Sequence, residues 1–372
     1  MVAWSLPLAL SFPLGNSDLF NYLDLGWMAG HGLSPYEVAM GSTGPYAHRS
    51  GSWIGATSGY APLGILAYVP AALLGTQSIY LAILLARVPA LVGIALMWWT
   101  LPPWGRWAVC LNPAVLLCYV MGAANDALAI GIGLLGLGIV LRRRTWRSAV
   151  AALLLVSVAT TTKQFAVLMA LPVVMPLIRE AWSRAARAAA AVGGGMVSLS
   201  CALASLPIVG WITGWGMRWI EGSNVYGYYS FAIYRILHQS VGRPLAHWLP
   251  RLGYLTFWEM LSWVCMLLAA TLLGLWFVLR SDLRPRTGLL VTAGWYAIYF
   301  AFAPGVYGWY LIPIVALAGL AAGRVGIGMI IVCAVWMIGL GSPLISLPLS
   351  PLLLVAISYV AWRSSATLPA PA

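Results

Sequence analysis

Apolar stretches dominate the chain, and polar residues punctuate them. Uninterrupted or nearly uninterrupted runs fall at about 1–14, 61–75, 78–100, 107–121, 127–141, 148–161, 164–178, 188–209, 256–279, 287–303, 309–323, 325–340 and 349–362. Crossing a bilayer takes about 20 apolar residues as a helix, and lipid offers no partner to an unpaired backbone group. The pattern therefore predicts an all-α polytopic membrane protein with thirteen candidate segments, of which the first is short for a span. Two polar, aromatic-rich interruptions, 15–60 and 210–255, predict the two larger loops. No inverted internal repeat of the transporter type is evident.

Composition sharpens this picture. Of 372 residues, 62% are hydrophobic and 8% charged, against about a quarter charged in soluble proteins, which excludes a water-soluble globule. The formal net charge is +12, but its distribution speaks against nucleic acid. All the basic residues except Lys163 are Arg, and most sit in short runs between apolar stretches. Arg142, Arg143, Arg144 and Arg147, then Arg179, Arg184 and Arg187, then Arg280, Arg284 and Arg286, with Arg106, Arg324 and Arg363, are expected on the cytoplasmic side. If Arg106 and the 142–147 cluster are both inside, Asn125 and Asp126 form an outer tip. Parity then prevents both 61–75 and 78–100 from crossing, so 61–75, with Pro62, Pro70 and Gly75, is expected to be a re-entrant or outer-leaflet segment. That leaves about twelve spans with both termini cytoplasmic. Cys110, Cys118, Cys201, Cys265 and Cys333 lie in apolar runs without metal-ligand spacing and read as small apolar residues. The first residues lack a charged region and a cleavage site, so no cleavable signal is expected.

This topology puts the chemistry-bearing residues on one side. All four His and six of the eight acids fall outside, whereas the inner side keeps only Glu180 and Asp282. The strongest local signal is DLFNYLDLGWMAGHGLSPYEV from Asp18. A carboxylate just past a first helix lies at headgroup level, where desolvation can tune it as a base; equally, it can cap the helix that follows. Asp24, six residues on, is not on the same helical face. Asp126, in GAAND, is costly at that depth unless paired or facing a cavity, or it caps the next helix. Lys163, in TTTKQF, suits a lipid phosphate or snorkels to the interface. Arg87, deep in its segment, is expected to face a polar cavity. In 210–255, Arg218, Arg235 and Arg243 alternate with Trp and Tyr, a pattern that serves phosphate binding and sugar stacking or a plain interfacial belt. Tyr307, Trp309 and Tyr310 offer the same choice. HExxH, GxSxG and Walker motifs are absent, and GIGLLG at 131–136 reads as small-residue helix packing.

Taken in order, DLFNYLDLGWMAGHGLSPY (18–36), YAPLG (60–64), LNPAVLLCYVMGAANDALAIG (111–131), TKQFAVLMALP (162–172) and YGWYLIP (307–313) resemble the GT-C superfamily of polyprenyl-phosphate-sugar-dependent glycosyltransferases. The likeness is strongest to bacterial alpha-mannosyltransferases of lipid-linked mannan synthesis. The resemblance implies a single GT-C-like domain over 1–372. It implies a catalytic base at Asp18 in the first outer loop, with Tyr22, Gly32, Pro35 and Tyr36 completing that pattern. Ala124 stands where the family often has His before Asn-Asp. Related transferases place an acid near Asp126 at the active cavity, some with a divalent metal. The lone Asp126 argues against a metal here, and no cofactor is expected.

Two functions are then weighed. One is an inverting glycosyltransferase at the outer face, moving a hexose, mannose by resemblance, from polyprenyl phosphate to a lipid-linked or glycan acceptor. In it Asp18 is the base and Lys163, Arg218 and Arg235 hold the donor phosphate. Asp24, Tyr22, Tyr36, His31, Tyr60, Asp126, Tyr307, Trp309 and Tyr310 line the substrate. The alternative is a polytopic transporter or lipid flippase, which calls for charges near mid-membrane and helices broken in corresponding places. The crowding of unusual residues at one face favours the enzyme.

Overall fold

The structure is a computed structural model that describes residues 2–13, 18–112, 115–219, 254–302 and 308–321. Among them the regular elements are all helical, as the apolar pattern predicts. The chain divides into two compact units, 1–225 and 226–372.

The first unit begins with a short helix α1 (Val2–Leu10) and α2 (Asp18–Gly30), which carries Asp18, Asn21 and Asp24 among apolar residues. After a loop with two 3₁₀ turns come α3 (Pro62–Leu66) and α4 (Val69–Leu74), then α5 (Ile79–Ala86) and α6 (Val88–Thr100). The expected re-entrant stretch 61–75 is thus two short helices with a turn at Ala67 and Tyr68. Pro62 and Pro70 stand in their first turns, where a missing N–H costs nothing. Pro89 likewise opens α6 and interrupts the 22-residue apolar stretch Ile79–Thr100.

Next, α7 (Pro103–Cys110) is followed by a π-helical turn, Val115–Met121, and by α8 (Asp126–Arg143). The π turn and α8 meet at 107°. The bend runs through Gly122 and Ala123, the latter at φ 56°, a left-handed conformation uncommon outside Gly. Helix α9 (Trp146–Thr162) returns beside α8 through a turn closed by a capping box, Thr145 with Ser148. α6 and α8 cross on glycines: a Cβ on Gly93 would lie 2.1 Å from the Ala127 carbonyl oxygen, so the small residues of GIGLLG and its partner helix permit backbone contact. Helix α10 (Arg184–Ile212) closes the unit.

Ile79–Thr100 and α10 are long and apolar enough to cross a membrane, and the bent pair around Gly122 makes a third if taken as one span. The described residues do not count out the twelve spans expected. One expected span differs in kind. Residues 164–178 form 3₁₀ turns, Gln164–Ala170 and Met175–Leu177, because Pro172 and Pro176 remove the donors an α-helix needs.

In the second unit, α11 (Tyr254–Arg280) and α12 (Pro285–Phe302) pack as a hairpin, and α13 (Ile312–Ala321) lies against α12. The α11–α12 turn is held by Asp282, whose Oδ1 accepts from Thr287 Oγ1 at 2.6 Å. Trp295 Nε1 donates to the Ala270 carbonyl at 3.1 Å.

Candidate active site

Three junctions of the first unit converge: the start of α2, the start of α8 and the end of α9. Helix α2 opens with Asp18, whose carboxylate sits in the first turn, where the helix dipole favours negative charge. Helix α8 opens with Asp126 behind Asn125, and neither side chain caps the helix. Lys163 ends α9, with its backbone N–H closing the last turn onto Ala159.

Their side chains meet. Lys163 Nζ donates to Asn125 Oδ1 at 3.2 Å and to Asp126 Oδ2 at 3.5 Å, and it stands 4.5 Å over the Tyr60 ring. Both members of the ion pair are buried, so Lys163 does not snorkel and Asp126 does not cap. Among the described residues Asp126 Oδ1 and Asn125 Nδ2 have no partner. Asp18 lies in the same electrostatic field. Burial raises its pKa above the ordinary 3.8, the Lys163 ammonium pulls it back, and the Asp126 carboxylate adds to the rise. The net result is a carboxylate more basic than a solvated aspartate. Asp18 Oδ1 accepts from Trp53 Nε1 at 3.0 Å. That indole N–H is also 3.0 Å from the Asn21 amide oxygen when the amide is turned to donate to the Ser50 carbonyl.

Aromatic residues wall the cluster. Tyr22 stacks on Tyr68 at 4.7 Å and meets Tyr60 edge-on at 5.3 Å. Burial, then the nearby Asp18 and Asp126 carboxylates, push the Tyr60 hydroxyl well above 10.0, so it remains a proton-bearing donor. Tyr36 donates its hydroxyl to the Tyr60 carbonyl at 2.7 Å, and Gln164 Nε2 donates to the Gly59 carbonyl at 2.8 Å. The loop carrying Tyr60 is thereby pinned from two sides.

The structure brings Asp18, Tyr22, Tyr60, Asp126 and Lys163 together. Tyr36 acts one layer out. Asp24 is buried and binds the loop, accepting from Gly41 N at 2.8 Å with Ser50 Oγ at 3.5 Å. Its carboxyl is raised by burial, partly offset by those bonds. His31 is exposed at the end of α2, stacked on Trp27 at 4.1 Å. Arg218 pairs with Glu37, both half exposed, rather than with the cluster. Arg235 and Tyr307 lie outside the described residues, as do the side-chain contacts of Trp309. Tyr310 stacks on Phe300 at 5.4 Å within the second unit.

Arg87 corrects an expectation. It faces backbone rather than a polar cavity: Nε and Nη2 donate to the Met121 carbonyl at 3.1 and 2.9 Å, and Nη1 to the Ala9 carbonyl at 2.5 Å. The bend frees carbonyls that lipid cannot satisfy; Arg87 takes Met121, and the Tyr68 hydroxyl takes Ala123 at 2.7 Å. Trp53 and Asn21 are contacts of Asp18's surroundings that sequence reasoning missed. Asn21 carries a signal, since it is one turn from Asp18 on α2. Trp53, in an irregular loop, carries none. Among the described residues no group of three or more His, Cys, Asp or Glu could hold a metal.

Residues 1–180 match the model of a family described as alpha-(1->6)-mannopyranosyltransferase, N-terminal domain. The chain is 26% identical to alpha-(1->6)-mannopyranosyltransferase A of Mycobacterium tuberculosis, over 92% of this chain and 68% of that protein. It is 25% identical to alpha-(1->6)-mannopyranosyltransferase B of Corynebacterium glutamicum, over 60% of this chain and 41% of that protein. The converging junctions all lie within the matched segment, and the likeness read from the ordered motifs is the one the comparisons show: the chain is a glycosyltransferase related to the alpha-(1->6)-mannopyranosyltransferases.

Proposed function

We propose that the chain is an inverting mannosyltransferase that works at the outer membrane face, taking mannose from a polyprenyl-phosphate donor and passing it to a lipid-linked or glycan acceptor. The observation that carries this reading is the desolvated Asp18 carboxylate in the field of the buried Lys163–Asp126 pair. A base and a cation in one cluster are what a single displacement needs. Asp18 takes the acceptor hydroxyl proton as the oxygen bonds to the anomeric carbon. The bond from that carbon to the phosphate oxygen breaks, and its electron pair leaves with the polyprenyl phosphate.

Lys163 stabilises that leaving phosphate, since a fixed cation aimed at the place where negative charge develops lowers the barrier without having to reorganise during the reaction. Asp126 and Asn125 hold the ammonium until the anion arrives. Tyr22 and Tyr60 supply flat apolar surface and neutral hydroxyls for a sugar ring. Lipid-borne donor reaches such a site from the bilayer, in keeping with the lack of a nucleotide-phosphate loop in the sequence.

Transfer of radiolabelled mannose from synthetic polyprenyl-phosphate mannose to membrane glycolipid by the purified chain tests the reading. Label appearing in product that the Asp18→Asn protein fails to make supports it. Movement of intact lipid-linked sugar across vesicles, with no transfer, would assign the chain to transport instead.

A further inference from the structure

Away from this cluster, the turn between α8 and α9 frames a cavity of about 550 Å³ lined by Ile139, Arg143, Thr145, Trp146, Arg147, Ser148 and Ala151. Its two ends differ in chemistry. Arg143 ends α8 and Arg147 stands in the first turn of α9, both exposed, and among the described residues neither meets a carboxylate. Ile139 is one turn before Arg143 and Ala151 one turn after Arg147, so the apolar part of the lining lies one turn deeper into the helix pair. Deeper still the helices close on each other: a Cβ on Gly136 would lie 2.9 Å from the Ala152 carbonyl oxygen.

Local bonding leaves the two arginines available. Thr145 and Ser148 satisfy one another in the capping box, at 3.0 and 3.2 Å. Arg142 is spent on the Thr100 carbonyl at 3.0 Å. The first turn of α9 adds the positive end of a helix dipole to the same mouth. Trp146, 73% exposed, has the amphipathic character of a residue at a headgroup boundary.

We propose that this groove binds an anionic glycerophospholipid, with the phosphate between Arg143 and Arg147 and the start of an acyl chain along Ile139 and Ala151. Charge complementarity selects an anionic headgroup. The apolar lining behind it selects an amphiphile over a free ion. The site is separate from the transfer chemistry and stands or falls independently of it.

The test is lipid retention by the full chain, delipidated in detergent, offered phosphatidylglycerol or phosphatidylcholine and read by native mass spectrometry. Phosphatidylglycerol is expected to bind at least tenfold more tightly. The Arg143→Gln/Arg147→Gln protein loses that preference, whereas Arg284→Gln/Arg286→Gln, an equal change of charge at another turn, keeps it. Ile139→Trp, which fills the apolar end and leaves both arginines, lowers retention at least tenfold. Equal loss in the two arginine pairs would make the attraction diffuse and overturn the proposal. Unchanged retention in Ile139→Trp would place the acyl chain elsewhere and overturn it too. Displacement of the lipid by millimolar inorganic phosphate would reassign the groove to a free anion.

Discussion

Lys163 and Asp126 are 37 residues apart in sequence, yet their side chains meet at 3.5 Å in a buried ion pair. The pair ties the end of α9 to the start of α8, and Asp18 of α2 feels both charges. An isolated buried pair of this kind is weak evidence for stability, because desolvation offsets most of the attraction. In the mechanism proposed above, the pair holds a cation ready for the leaving phosphate.

The acid side of the pH profile reports this field. The proposed base, Asp18, works in its ionised form and its pKa is raised above 3.8, so on that proposal kcat/KM should fall as pH drops through a value higher than that of a solvated aspartate. Lys163 lowers and Asp126 raises it. Lys163→Met should therefore move the acid limb further up in pH, and Asp126→Asn should move it down. The limb is read from initial rates with synthetic donor; identical limbs in the two variants would dissociate Asp18 from the pair.

Lys163→Met should also lower turnover by at least tenfold, about 1.4 kcal/mol of transition-state stabilisation, with the protein still folded. Lys163→Arg restores part of this, since the guanidinium keeps the charge but is wider. Single-turnover kinetics with saturating donor make the comparison.

Gly64 sets the closeness of the site's walls. A Cβ there would lie 2.3 Å from the Thr162 carbonyl oxygen and 3.2 Å from Asn125 Nδ2. Both neighbours adjoin site residues, Lys163 and Asp126. Gly64→Ala should cost about 1–3 kcal/mol of stability, as overpacking does, and should depress turnover beyond that loss. Gly136→Ala, at the α8–α9 contact, should lower stability while sparing turnover per folded molecule. Thermal unfolding in detergent beside activity separates the two.

Arg87→Met leaves the Met121 carbonyl without its donor. An unsatisfied buried group costs about 1–3 kcal/mol, so the melting temperature should fall. Arg87→Lys should recover part, having one compact donor group where the fork spans two carbonyls. A melting temperature unchanged in Arg87→Met would show that the bend is held by other contacts.

Much of this arrangement is legible in the sequence, and the remainder has identifiable causes. Asp18, Asp126 and Lys163 stand out because each is a rare charge beside an apolar run, and all three reach one cluster. Asp24 shows the same signal but spends it on Gly41 N and Ser50, a loop contact that spacing cannot reveal. Arg87 is conspicuous for its depth, yet its partners are the Met121 carbonyl beside the bend at Gly122 and Ala123 and the Ala9 carbonyl of α1, and neither a bend nor a contact between distant segments leaves a hydrophobic periodicity to read. Residues 164–178 are as apolar as a span; only Pro172 and Pro176 mark the 3₁₀ path.

The most direct measurement is transfer by the Asp18→Asn protein from a polyprenyl-phosphate mannose of defined anomeric configuration. Asparagine keeps the shape and cannot take the proton, and base assistance is worth about 100 to 10,000-fold. The account predicts a turnover loss within that range, donor binding close to that of the unaltered chain, a much smaller loss in Asp24→Asn, and inversion in the product of the unaltered chain. Full turnover in Asp18→Asn, or retention at the anomeric carbon, would contradict it.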